Sequence, residues 1–92
     1  MNIKIRVPGA LRTITKNQDI IEVAGVNTVK EALTKLDEAY PGMAARLYDD
    51  KGVLRKFINL YLNEEDVRFI KGLDTPLTDN AELSIVPAVA GG

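Results

Sequence analysis

Few groups in this chain could do chemistry. Its 92 residues include no Cys, no His and no Trp. Without Cys there is no disulfide, thiolate zinc site, iron–sulfur cluster or Cys nucleophile; without His the commonest general base and metal ligand is missing. Ser84 is the single Ser and has no His or Cys beside it, so a nucleophilic triad is excluded. Three features are left. Gly91-Gly92 follows the uncharged run Pro87-Ala88-Val89-Ala90. Such a run makes a thin, flexible tail ending in an unhindered carboxylate at Gly92, able to enter a narrow catalytic channel on another protein, because Gly adds no side-chain bulk. Glu64-Glu65-Asp66 is either a carboxylate cluster for a cation or general acid–base work, or a solvated turn whose side chains splay apart. Phe57, Tyr61 and Phe69, with Arg68 among them, form either a partner-binding patch or, for the two Phe, a minor core under the loops. Arg68 itself is either paired within the acidic turn or in contact with an acidic partner.

Charge narrows the partners. Twelve Lys and Arg against thirteen Asp and Glu give a formal net charge of −1, which offers no basic excess for a nucleic-acid backbone. No apolar run approaches the ~20 residues of a membrane span, and Met1 to Ile5 has no secretory h-region. A cytoplasmic protein of one domain, residues 1–92, is expected, with no metal and no nucleic-acid or membrane partner.

These groups need elements to hold them. Ile3, Ile5 and Val7 alternate with polar residues and predict a half-buried strand; Ile21 and Val23 predict a second around 20–24, the two forming a hairpin across the ambiguous stretch 11–19. Thr28-Val29-Lys30-Glu31 is a capping box in which Glu31 reaches back to the Thr28 amide. Val29, Ala32, Leu33, Leu36, Ala39 and Tyr40 follow as one apolar helical stripe, Glu31 and Lys35 are spaced as an i,i+4 ion pair, and Pro41-Gly42 ends the helix. Met43 to Leu47 adds a short helical turn. Ile58, Leu60 and Leu62 predict a strand facing the helix, with Phe57, Asn59 and Tyr61 on its other side. Val67-Arg68-Phe69 reads as a short return strand and Glu82 to Val86 as the last strand. The order β-β-α-β-(β)-β gives one mixed sheet with one main helix on one face, a two-layer α+β domain.

That order ending in Gly-Gly resembles the ubiquitin-like sulfur carrier family of the ThiS/MoaD type, which has the β-grasp fold. Phe57-Ile58-Asn59-Leu60-Tyr61-Leu62-Asn63-Glu64-Glu65-Asp66-Val67-Arg68-Phe69 and Ile85 to Gly92 carry the likeness, which is nearest to the CysO-type carriers of cysteine biosynthesis. The resemblance implies that an E1-like adenylating and sulfurtransferase enzyme uses ATP to activate the Gly92 carboxylate, which then becomes a thiocarboxylate. It implies contacts through Gly91, Ala90 and Val89, the threading tail, while Tyr61, Phe57, Arg68 and Phe69 are the candidate docking residues. It implies a PLP-dependent cysteine synthase as acceptor and a metalloprotease that restores the tail, the carrier itself holding no cofactor and being no enzyme. The segment 43–56 looks like an insertion relative to the thiamin-pathway carriers. Three alternatives remain: the small subunit of molybdopterin synthase, a ubiquitin-like protein modifier or interaction module, and a small enzyme using Glu65 and Asp66.

Overall fold

The computed structural model describes residues 1–87. Five strands, β1 (Ile3–Arg6), β2 (Ile20–Val23), β3 (Ile58–Leu62), β4 (Glu65–Asp66) and β5 (Glu82–Pro87), form one sheet in the order β2-β1-β5-β3-β4. β1 and β5 run parallel and the other pairs are antiparallel. Parallel neighbours require a crossover, and here it carries α1 (Val29–Ala39) and the short α2 (Met43–Leu47). The sheet is mixed and the main helix covers one face, as the β-grasp resemblance implies.

Period-2 patterning decides which face is covered. Ile3, Ile5, Ile21, Val23, Ile58, Leu60, Leu62, Leu83 and Ile85 are buried and meet Val29, Ala32, Leu33 and Leu36 of α1 with Met43 and Leu47 of α2. The intervening residues Lys4, Arg6, Glu22, Asn59, Tyr61, Ser84 and Val86 lie on the open face. Ala39 departs from the expected stripe and is exposed. At ~100° per residue it sits at the stripe's margin, about 80° from Val29, and the helix ends there with nothing beyond to cover it.

The start of α1 is tied at two levels. The Thr28 hydroxyl accepts from the Glu31 amide at 3.3 Å, but the Glu31 carboxylate accepts from the Asn27 amide at 2.8 Å and not from that of Thr28. That bond takes the carboxylate away from Lys35, which lies instead 3.9 Å from Glu38. Backbone bonds from Val29 to Thr75 and from Leu77 to Asn27 fasten the same helix end to the segment before β5. At the other end the Tyr40 amide bonds to the Leu36 carbonyl, and Gly42, at φ 105°, turns the chain into α2 through a conformation that favours Gly.

β4 is shorter than the expected return strand and begins two residues earlier, within the turn expected at Glu64-Glu65-Asp66. It is Glu65–Asp66, and Val67–Phe69 is a 3-10 turn. Its cause is Asp66, whose carboxylate accepts from the Arg68 amide at 2.9 Å and so caps the turn. The hairpin before it turns through Asn63 and Glu64, both left-handed at φ 50° and 74°. Asn63 suits that region, and its side chain also accepts from the Glu82 amide at 3.0 Å, tying the hairpin to β5. Glu64 has neither advantage. Glu64→Gly is expected to raise stability by roughly 0.5–1 kcal/mol, the left-handed cost of an L side chain less the entropy cost of Gly, read as an upward shift of the urea midpoint at unchanged slope.

Candidate functional site

Three of the expected docking residues, Tyr61, Arg68 and Phe69, gather with Asp66 at one corner of the open sheet face. Tyr61 of β3 is in register with Asp66 of β4, which places the two side chains on the same side. Asp66 is buried and grips Arg68: Nη2 donates to Oδ2 at 2.7 Å, and Nε lies 3.2 Å from each carboxylate oxygen. The Arg68 guanidinium carbon stands 6.0 Å from the centroid of the Phe69 ring, at the outer limit of a cation–π contact. Tyr61, Asp66, Arg68 and Phe69 thus form a connected set held by a two-residue strand and the turn it caps.

The ion pair changes what Arg68 can offer. The charged hydrogen bonds from its side chain, then the bond from its amide, hold the Asp66 carboxyl below the usual carboxylate range, and the carboxylate in turn holds Arg68 protonated. The expected local pairing of Arg68 with the acidic turn is therefore what forms. The guanidinium is a fixed, largely neutralised plane with 58% of its side chain exposed, and not a free cation. Glu64 and Glu65 stay exposed while Asp66 turns to Arg68, so the three carboxylates do not converge. Among the described residues no group of three or more Asp and Glu could hold a metal ion. The carboxylate-enzyme alternative has no cleft with paired acids to support it.

Phe69 is 83% and Phe57 59% exposed, so neither completes a minor core. Phe57 directly precedes β3 and, by strand parity, continues the side of Asn59 and Tyr61, at the opposite end of the strand from Asp66. Between them lies Val86 of β5, in register with Asn59 and 39% exposed, which the sequence reading did not single out. Its signal was present: Leu83 and Ile85 alternate with Ser84 and Val86, so a strand that buries the first pair must show the second. The remaining expected site residues, Val89, Ala90, Gly91 and Gly92, lie outside the described residues. Their attachment is described: β5 ends at Pro87, opposite Ile58 at the start of β3. Among the described residues no helix is long and apolar enough to cross a membrane.

Comparison with known proteins places this geometry. The profile of the ThiS family matches residues 5–92. The chain is 39% identical to the sulfur carrier protein CysO of Mycobacterium tuberculosis over 94 residues, covering 100% of both chains. It is 31% identical to small archaeal modifier protein 3 of Haloferax volcanii over 93 residues, again covering 100% of both. In structure it matches a chain of the BexX/CysO complex of Amycolatopsis orientalis with a TM-score of 0.89 and 40% identity, over 98% of this chain and 99% of that one. The fold is the ubiquitin-like β-grasp expected from the sequence.

The Asp66–Arg68 pair has a pH signature. Because the folded Asp66 carboxyl is held below its unfolded value, its contribution is fully present above pH ~4 and is lost as pH falls through the depressed folded value. Asp66→Asn keeps an acceptor for the Arg68 amide but removes the charge. The variant is expected to be less stable than the wild type at pH 7, with the gap between their urea midpoints closing at strongly acidic pH. A gap that stays constant with pH would contradict this assignment.

Proposed function

Since the chain belongs to the ThiS family, we propose that it is a sulfur carrier whose reactive group is the Gly92 carboxylate. The observation that carries this reading is the full-length match to the CysO carriers, with the β-grasp and the Gly91-Gly92 ending in one chain. The lack of Cys and His bears on how sulfur could be held: the carrier would carry it on the main chain and not on a thiol.

The chemistry follows from the carboxylate. A free carboxylate is a poor acyl donor, because the carbon of the anion resists attack and has no good leaving group. In the partner's site it attacks the α-phosphorus of ATP, pyrophosphate leaves, and the product is a mixed anhydride. A sulfur donor at the sulfide oxidation level then attacks the acyl carbon and AMP leaves with the C–O bond. The resulting thiocarboxylate is a soft nucleophile. In the cysteine-biosynthesis reading a PLP-dependent synthase would supply the carbon electrophile for this sulfur, the acyl group would shift from sulfur to the new amine, and a metalloprotease would hydrolyse that amide, freeing cysteine and restoring Gly92. ATP, PLP and the metal belong to these enzymes. The chain's share is recognition: Val89, Ala90 and Gly91 thread the channel, and Tyr61, Arg68, Phe69 and Phe57 with Val86 give the enzymes a surface to hold. A BexX/CysO complex among the similar structures supports a protein partner for the carrier.

A second reading is favoured by the likeness to a small archaeal modifier protein: the same activated carboxylate passed to a lysine amine as an isopeptide. One experiment separates the two. The full chain is incubated with an E1-like enzyme of this family, ATP and sulfide, and its intact mass is read. Exchange of one oxygen for one sulfur is expected, and no exchange after deletion of Gly92, a deletion that should leave the far-UV spectrum unchanged. A ladder of SDS-resistant conjugates without sulfur exchange would replace the carrier reading by the modifier reading, and neither product would refute both.

A further inference from the structure

A groove of about 520 Å³ opens beside the start of β3, between the loop Gly52–Lys56 and the segment Val67–Leu73. Its floor is apolar, with Leu54, Ile58 and Leu73 along it. The charged residues that line it are Arg55, Lys56 and Arg68, and no Asp or Glu lines it, in a chain whose formal net charge is −1. Arg68 is matched by Asp66. Arg55 donates one hydrogen bond to the Ala45 carbonyl at 3.1 Å, and neither it nor Lys56 forms an ion pair among the described residues. Arg55 also lies within electrostatic reach of the Asp49 carboxylate, without an ion pair. An apolar floor with two cations outside any ion pair on one edge selects a ligand with both features.

We propose that this groove is a docking site for an acidic peptide segment of a partner protein. The segment lays one large apolar side chain on the Ile58–Leu73 floor and sets carboxylates against Arg55 and Lys56. The site meets the open-face corner at Arg68, which belongs to both, while Tyr61, Phe69 and Val86 do not line it, so a partner can hold both at once. Charge favours this occupant over two others. The run Ala88-Val89-Ala90-Gly91-Gly92 has no acidic side chain and brings one carboxylate, that of Gly92, to two cations. A second copy set groove to groove would bring identical cations together. Tethering through such a segment raises the effective concentration of the carrier at its enzyme without a tight contact at the reacting end.

The test uses the full ¹⁵N-labelled chain and a synthetic peptide, acetyl-Asp-Glu-Leu-Phe-Asp-Glu-amide. Titration to about 1 mM peptide, where binding of even −4.1 kcal/mol is half saturated, should give saturable amide shifts at 53–56, 67–68 and 72–73. Arg55→Glu with Lys56→Glu, both at exposed positions, should weaken binding at least about fivefold, and a peptide with Lys in place of Asp and Glu should give no shift. Shifts that are absent, that fall on Lys4, Tyr61 and Val86 instead, or that survive the charge reversal overturn the proposal. So do groove signals that move with protein concentration, which assign the groove to a second copy, or that move on deletion of 88–92 and block the peptide, which assign it to the chain's own tail. No activating enzyme is present, so the outcome is independent of whether sulfur is carried.

Discussion

The structure depends on the last strand being a central one. β5 is clamped between β1, parallel to it, and β3, antiparallel to it, so segments far apart in the chain meet only when β5 is in place. Leu83 and Ile85 are buried at that junction, and the backbone of Glu82 bonds to Asn63 through both its amide and its carbonyl. With no disulfide available, this clamp and the shared core are what hold the two halves of the sheet. The clamp also sets Pro87, which has no amide to donate, opposite Ile58 at the start of β3.

One-sided burial divides the rest of the molecule. A single helical layer covers one face of the sheet, and the alternation that buries Ile58, Leu60 and Leu62 leaves Asn59 and Tyr61 to solvent. The open face is polar toward β1 and β2, where Lys4, Glu22 and the Arg6–Glu82 pair at 3.1 Å lie, and aromatic toward β4, where Tyr61 and Phe69 lie. A surface ion pair such as Arg6–Glu82 contributes little to stability, so that half of the face is mainly solvated. The aromatic half combines exposed rings with an arginine whose charge is already matched by its own carboxylate partner. Such a surface can be covered by a protein at modest electrostatic cost and uncovered again.

The sequence made legible whatever rests on period and local capping. The strands around Ile3, Ile21, Ile58 and Leu83 and the helix beginning after Thr28 all follow from residue spacing, whereas the turn expected at Glu64-Glu65-Asp66 lies at Asn63-Glu64. The misplaced details are those in which one polar group chooses among several acceptors or donors. Glu31 had the Thr28 amide, the Asn27 amide and Lys35 within reach, and the geometry of the chain before the helix selected Asn27. Asp66 had the sheet ladder and the Arg68 amide to serve, and by capping the latter it converted an expected strand into a turn. These choices differ by about 1 kcal/mol, the worth of one hydrogen bond, and periodicity has no access to them. The candidate site was legible in its residues but not in its connections: Tyr61, Arg68 and Phe69 were visible as types, whereas their assembly through Asp66 depends on the register of a two-residue strand.

The same register explains why recognition and chemistry can be separated in so small a fold. Pro87 is opposite Ile58, and Ile58 is also a wall of the groove lined by Arg55 and Lys56. Tyr61, farther along the same strand, belongs to the open face. β3 therefore has the exit of β5 on one side, the aromatic corner at its far end and the basic groove near its start. A change in β3 packing would disturb all three together, while side chains at the rims, Phe69 or Lys56, can vary without touching the core. That arrangement lets the exposed surface change through rim residues while the strand beneath it stays fixed by burial.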